Sequence, residues 1–346
     1  MRIPSSLARR LLRLAAAAAI AAIPPLARAE VFVYKDWAVS CDNTRGCEAV
    51  GFRGEASDSK PVMLWIARAA GAGTRVRGRL KVETADGART GPFRLVLDAT
   101  TRIAEPADGD LDAAAFARVL PALLERSSVE VDFDSERYTL SLNGLKAALL
   151  KMDDLQGRIG TRGALVRKGL RDEHGVPAPL PPFLPHPAPN FALKSTDPAL
   201  LKLVVPTLDA DCNVAPSEGV DGADVAIHRV SDNQVIVLRE CQRGAFQSGY
   251  AAWLVDDRPP YAGRRLAFPQ ADGTTRPFAM NAQWEGSGGS LRSISKGRAE
   301  NDCGGDAFWT WTGYALELYN AHEAPLCRGM LGGGMTLRTF DYQLPH

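Results

Sequence analysis

The chain has 346 residues, of which 45% are hydrophobic and 23% charged, with 41 basic against 40 acidic side chains. That length admits two domains, and the composition is that of an ordinary globular protein. With no basic stripe to follow a phosphate backbone, nucleic acid is excluded as an expected partner.

Residues 1–29 differ from the rest. Arg2, Arg9, Arg10 and Arg13 form a basic front, Leu14 to Ile23 is an apolar run, Pro24 and Pro25 break it, and Ala27-Arg28-Ala29 is a small-x-small cleavage signal. This is the layout of a secretory signal peptide cleaved between Ala29 and Glu30, with a run too short to span a bilayer. Its five arginines leave with it, so the mature chain carries 36 basic and 40 acidic side chains, a net of about −4. No second long apolar run follows, so no membrane span is expected after processing.

Val31, Val33 and Trp37 to Val39 predict an entering strand, turned by Asp42-Asn43 and Gly46. Val62 to Ala67 is nearly continuous apolar sequence and predicts a central strand buried on both faces. Val76 to Glu83 alternates, as do the stretches around Phe93, Val129 and Tyr138, and each predicts a half-buried antiparallel strand. Two helices interrupt them. One is expected over Leu111 to Leu124, capped by Asp110 and ended or kinked at Pro121. The other runs from Leu145 to Gln156, with apolar residues at Leu145, Ala148, Leu149 and Met152 and a stop at Gly157. Its Asp153-Asp154 pair reads as a solvated turn, not a catalytic pair.

Residues 175–190 hold seven prolines and predict a semi-rigid extended linker between domains 30–174 and 191–346. Beyond it, Ser195 to Lys202 offers a helical turn and Leu201 to Val205 a strand. Val225–Val230 and Val235–Cys241 flank a hairpin turn at Ser231 to Gln234. Ser248 to Val255 is a buried strand, Gly286 to Gly289 a glycine-rich turn, Phe308 to Leu318 a second hairpin about Thr312-Gly313, and Met335 to Phe340 a closing strand. The expected fold is mainly β with a minor helical part. It comprises two disulfide-stapled antiparallel β domains, the first sandwich-like with two short helices.

All six cysteines follow the signal segment, and an even count in an exported chain reads as disulfides. Six cysteines allow 15 connectivities, among which the sequence does not choose; the expectation adopted is neighbour pairing, Cys41–Cys47, Cys212–Cys241 and Cys303–Cys327. By loop length the short bridge contributes about 2 kcal/mol and each long one about 3.5. No CxxC spacing and no histidine cluster accompanies them, so no metal is expected, and no phosphate-loop or dinucleotide fingerprint calls for a cofactor.

Four stretches carry a resemblance: KDWAVSCDNTRGCEA at Lys35 to Ala49, ALLKMDDLQGRIGTRGAL at Ala148 to Leu165, GAFQSGYAAWLVDD at Gly244 to Asp257, and DCG…WTWTGYALEL…CRG from Asp302 to Gly329. In order and cysteine placement the chain resembles domain-of-unknown-function family 1176, and its opening is similar to invasion-associated locus B proteins. The resemblance implies an exported proteobacterial envelope protein and supplies no catalytic residues. Gly332-Gly333-Gly334 departs from it, where a tryptophan-bearing end is expected.

The reading these features favour is a soluble periplasmic binding or interaction protein with an unidentified protein, peptide or glycan partner. Trp309, Trp311 and Tyr314 are a candidate recognition strip, with core packing as the competing reading. A purely structural envelope factor is not separable from this reading. Ser248-Gly249-Tyr250 is similar to a triplet of small periplasmic lysozyme inhibitors, a second possibility. A hydrolase is the third: it needs a base beside a nucleophile, and only His228 and His322 lie within predicted β structure or its loops. Gly286-Ser287-Gly288 lacks the G-x-S-x-G spacing of a nucleophile elbow, so no catalytic residue is assigned.

Overall fold

The computed structural model describes residues 29–97, 102–104, 109–189, 191–208, 212, 214, 224–261, 263–285 and 289–342. The predicted signal segment up to Arg28 and the tip Gly286-Ser287-Gly288 lie outside these residues.

The first half of the chain builds β1 (Phe32–Tyr34), β2 (Trp37–Cys41), β3 (Cys47–Phe52), β4 (Val62–Arg68), β5 (Val76–Thr84), β6 (Gly87–Arg89), β7 (Phe93–Val96), β8 (Arg102–Ala104) and β9 (Asp110–Leu111). It continues with α1 (Ala113–Leu124), β10 (Ser128–Phe133), β11 (Glu136–Ser141) and α2 (Leu145–Leu155). Strands β1 to β6 lie side by side in chain order, with β9 also against β5. A second sheet runs β11-β10-β7-β8.

One face of the first sheet, including Trp37, Val39, Ala49, Leu64, Ile66 and Leu80, packs on the second sheet and on both helices. The other face, Ala38, Val50, Phe52 and Met63, packs against Leu326, Met330 and Leu337 from the far end of the chain. Burial on both faces is why β3 and β4 are written in near-continuous apolar residues.

Helix α1 starts two residues later than the sequence suggests. Asp112, not Asp110, caps it by accepting from the Ala115 N–H at 2.7 Å, while Asp110 pairs with Arg79 across β9 and β5. Pro121 sits inside the helix on its solvent side and does not end it. Asp153 also departs from expectation: its carboxylate is buried and accepts from the Leu165 and Val166 N–H groups at 2.7 and 3.1 Å. Only Asp154 is solvated, beside Lys151.

The second half adds α3 (Asp197–Val204), β12 (Val225–Arg229), β13 (Gln234–Arg243), β14 (Ser248–Asp256), β15 (Gly263–Arg265), β16 (Phe268–Pro269), β17 (Thr275–Arg276), β18 (Ala279–Met280) and β19 (Gln283–Glu285). It closes with β20 (Ser290–Lys296), β21 (Gly304–Trp311), β22 (Leu316–Ala324) and β23 (Leu337–Phe340). A five-stranded sheet of β12-β13-β14-β15 with β18 faces a five-stranded sheet β19-β20-β21-β22-β23 across a core that includes Ile236, Leu254, Phe268, Leu291 and Leu318. The outer face of β13 and β14 is covered by α3. Leu201 to Val205 is therefore helix, not strand. Leu200 and Val204, one helical turn apart, bury on Val235, Val237 and Trp253 while Lys202 between them is exposed, whereas a strand would turn all three to one face.

Bridges close Cys41–Cys47, Cys212–Cys241 and Cys303–Cys327. The described part of this segment, residues 175–189, holds no helix and only one isolated bridge, and it is pinned at three points. The Leu180 N–H donates to Thr44 O at 3.1 Å, the Phe183 N–H to Asp341 O at 3.3 Å and the Ala188 N–H to Trp311 O at 2.7 Å. The segment is a strap touching both halves.

The halves also meet through polar contacts. Arg338 donates to Asp42 at 2.7 Å through its side chain and to Glu48 at 2.8 Å through its backbone. Arg328 reaches Asp36 at 3.3 Å, and Asp36 also accepts from the Ser141 hydroxyl at 2.7 Å. Asn43 and Asp341 exchange two hydrogen bonds. Asp36 is thus an ion-pair partner of the other half of the chain.

Candidate functional site

The aromatic residues singled out in the sequence do not form a strip. Trp309 and Trp311 stand two apart on β21, point to the same side and are 2% and 3% exposed in the second-half core. Trp309 donates its indole N–H to Pro269 O at 2.7 Å and meets Phe268 edge-on. Tyr314 lies in the following turn, 66% exposed, with its hydroxyl on Glu317. Alternation on a two-faced strand put the large rings inward, which corrects the recognition-strip reading.

The two candidate histidines are far apart in role. His228 stacks on Trp284 at 4.8 Å, and burial pushes its pKa down to about 4, so the ring is neutral at ordinary pH. His322 lies across from Asp306 on β21, with Nδ1 2.8 Å from Oδ1. Among the described residues neither ring is hydrogen-bonded to a serine, threonine or cysteine. Ser248 and Tyr250 of the inhibitor-like triplet donate to Glu240 and Asp224. Asp302 lies close to the Cys303–Cys327 bridge, but those sulfurs are bonded to each other, and its carboxylate accepts from Arg298 and the Gly329 N–H.

A cleft of about 700 Å³ lies between α1 and the loop after α2. Its floor is Val76, Phe116, Leu120 and Ala164, all buried. One wall is the solvent side of α1, where Ala113, Ala114, Ala117 and Pro121 are too small to fill the space. Leu165 and Gly163 form the facing wall, and Arg75, Arg162 and Lys168 line the site against the single acid Glu125. Apolar volume with a few convergent charges is the usual composition of a ligand site.

Beneath this cleft a buried ionic network fixes the loop. Arg68 donates to Gly163 O at 2.7 Å and lies 3.4 Å from Glu173 and 3.8 Å from Asp153. Arg158, fully buried, donates to Gln156 at 3.0 Å and to the Thr74 hydroxyl at 2.7 Å and pairs with Glu173. Burial, with Arg158 beside it, brings the Arg68 pKa down to about 10. Burial also raises the Asp153 carboxyl, opposed by the two loop N–H groups and the two arginines. For Glu173 burial acts upward, but the Gly73 N–H and Arg158 outweigh it and hold the carboxyl below its ordinary value. A buried network of this kind braces the loop at several points beneath the cleft.

The loop begins within the ALLKMDDLQGRIGTRGAL stretch, but no local sequence pattern joins it to α1. Two signals were there. Arg158 to Arg171 contains five basic residues and no acid, and the α1 segment is alanine-rich on one face.

Comparison with known proteins adds a family and no activity. The family described as "Protein of unknown function (DUF1176)" matches residues 31–340. "Uncharacterized protein YpfG" of Escherichia coli (strain K12) is 29% identical over 324 residues, covering 85% of this chain and 88% of that protein. Among solved structures, invasion associated protein B from Bartonella henselae is 18% identical, covering 37% of this chain and 99% of its own, with a TM-score of 0.26.

Proposed function

The chain belongs to the DUF1176 family of proteins of unknown function, and from that premise we propose that it is a soluble periplasmic envelope protein that works by binding, with the α1 cleft as its ligand site. In this reading residues 1–29 are a signal peptide cut before Glu30, and residues 30–174 and 191–346 are two β domains tied by the 175–190 strap. Three disulfides support an oxidising compartment. Among the described residues no helix is long and apolar enough to cross a membrane.

The observation that carries the binding reading is the cleft itself: an apolar trough walled by alanines, with three exposed cations and the buried Arg68 against one anion along it. The complementary occupant is an amphiphile with one apolar chain and an anionic head, its chain along α1 and its head at Arg75, Arg162 and Lys168. The test is displacement of a fluorescent fatty acid by laurate, dodecyl phosphate and dodecyl maltoside. The two anionic competitors are expected to displace it at lower concentration than the neutral one. Ala117→Trp, which fills the trough from the solvent side of α1, is expected to abolish probe binding. Equal probe binding by Ala117→Trp and the parent would overturn the assignment.

One observation favours the hydrolase alternative, the Asp306–His322 pair at 2.8 Å. A screen of ester, peptide and glycan substrates tests it: activity lost in His322→Ala supports that reading, and a blank screen ends it.

A further inference from the structure

Leu170 is 90% exposed, the most exposed large hydrophobic side chain among the described residues. A single exposed leucine needs no explanation by itself. This one stands on a cross-braced loop among cations, and that combination does.

The loop is braced at several points. The Gly160 N–H donates to Arg167 O at 2.8 Å, the Arg162 N–H to Arg171 O at 2.8 Å and the Gly169 N–H to Thr161 O at 3.0 Å. Gly169 runs so close to Gly160 that a Cβ there would fall 2.3 Å from the Gly160 carbonyl oxygen. Asp153 holds the base of the loop through Leu165 and Val166. Leu170 therefore cannot fold back onto the protein to hide its side chain without breaking this frame. Around it Arg162, Arg167 and Lys168 are exposed, and Arg167 and Lys168 have no ion-pair partner among the described residues. The nearest acids in sequence are Asp172, exposed and 3.3 Å from His174 Nδ1, and Glu173, already held by Arg158.

We propose that the 162–171 loop is a contact site for an anionic phospholipid bilayer, with Leu170 entering the interface and Arg162, Arg167 and Lys168 lying over the headgroups. A rigid apolar tip ringed by cations has the chemistry of an interfacial anchor: apolar burial and attraction to anionic lipid act together. The cleft opens beside this loop, so a bound surface lies next to the place where an amphiphile would enter. The site does not depend on the cleft being a ligand site.

The experiment is co-sedimentation of the purified chain with vesicles of phosphatidylethanolamine and phosphatidylglycerol, against vesicles of phosphatidylcholine alone. Sedimentation is expected with the anionic vesicles and is expected to weaken as salt rises. Leu170→Ser is expected to lower the partition about tenfold, from lost apolar burial. Arg167→Gln is expected to lower it about fivefold, from one cation removed near the surface. Neither residue lines the cleft, so both variants should still bind the fluorescent fatty acid. Ala117→Trp should lose that probe and keep its vesicle binding, which separates failure of the cleft reading from failure of this one. Equal sedimentation with both vesicle types, none with either, or unchanged sedimentation of Leu170→Ser and Arg167→Gln would overturn the proposal.

Discussion

Gly51 and Trp37 face each other across β2 and β3, and replacing Gly51 with alanine tests how tightly the first sheet is built around that tryptophan. The two are paired in register. The indole lies over Gly51 so closely that a Cβ there would fall 2.0 Å from Cε2 and 2.3 Å from Cζ2. Ordinary carbon contacts are about 3.5–4.0 Å, so the ring must retreat by about 1.5 Å. It has little room, being fully buried, with its N–H donating to Ser141 O at 2.9 Å. Overpacking of this kind costs about 1–3 kcal/mol, and weakening a buried hydrogen bond adds about 1 kcal/mol. Gly51→Ala should therefore destabilise by about 3 kcal/mol, a fall in Tm of about 6–12 °C, read by circular dichroism on heating. In a Trp37→Ala background the whole indole is gone, including Cδ2 at 2.4 Å, and the same substitution should cost less than about 1 kcal/mol. A Gly51→Ala protein melting with the parent, or a penalty that persists in the Trp37→Ala background, would refute the reasoning.

Three further outcomes are expected. Leu337→Ala removes a fully buried side chain that packs on Ala38, Val50 and Met63; a loss of about 2–5 kcal/mol in urea unfolding is expected, and an unchanged midpoint would mean that the halves are not packed as described. Glu240 is 2% exposed and its pKa is depressed to about 2, first by the Arg243 hydrogen bond and then by the Ser248 hydroxyl. Its contribution is full above the ordinary carboxylate pKa and is lost as pH falls from about 4.5 to about 2. Allowing for the partly exposed Arg243, it amounts to about 2 kcal/mol; Glu240→Gln should flatten the stability profile in that window, and a profile as steep as the parent's would count against the assignment. Replacing both Cys303 and Cys327 by alanine opens a loop with a sequence separation of 24, with an expected loss of about 3.5 kcal/mol; a Tm equal to the parent's would show that the bridge does not constrain the unfolded chain.

Most strands were legible because alternation is a local signal. Val76, Leu80 and Val82 turn inward on β5, and Val129, Val131 and Phe133 on β10, as their spacing requires. Leu201 to Val205 misled because a short apolar run satisfies both periods, and only the partners Val235 and Trp253 decide between them. Asp153 misled for a different reason. Sequence shows two adjacent acids, and nothing local says that a loop twelve residues on will bring its N–H groups to one of them. The cleft was illegible as a site because its walls come from α1 and from the loop after α2. Its residues are ordinary alanines and arginines until the fold sets them side by side. The docking of Leu326, Met330 and Leu337 on the first sheet has the longest sequence separation, and no local pattern records it. Met335, beside the unexpected glycine run, donates its N–H to Met63 Sδ at 3.0 Å, which joins that segment to the same interface.

That interface has a consequence for how the chain can be completed. A polypeptide is made from its amino end, so β2 and β3 exist long before Leu326 to Leu337 emerge. Until that last segment arrives, Ala38, Val50, Phe52 and Met63 form a greasy outer face with nothing over it, and Asp36, Asp42 and Glu48 lack their arginines. Contacts between the ends of a chain are slow to form because the whole intervening loop must be closed first. A product cut short before Leu326 could have both sandwich cores largely in place and still present an adhesive surface, open to aggregation and proteolysis. Strand β23 and the segment before it act as a seal over that face.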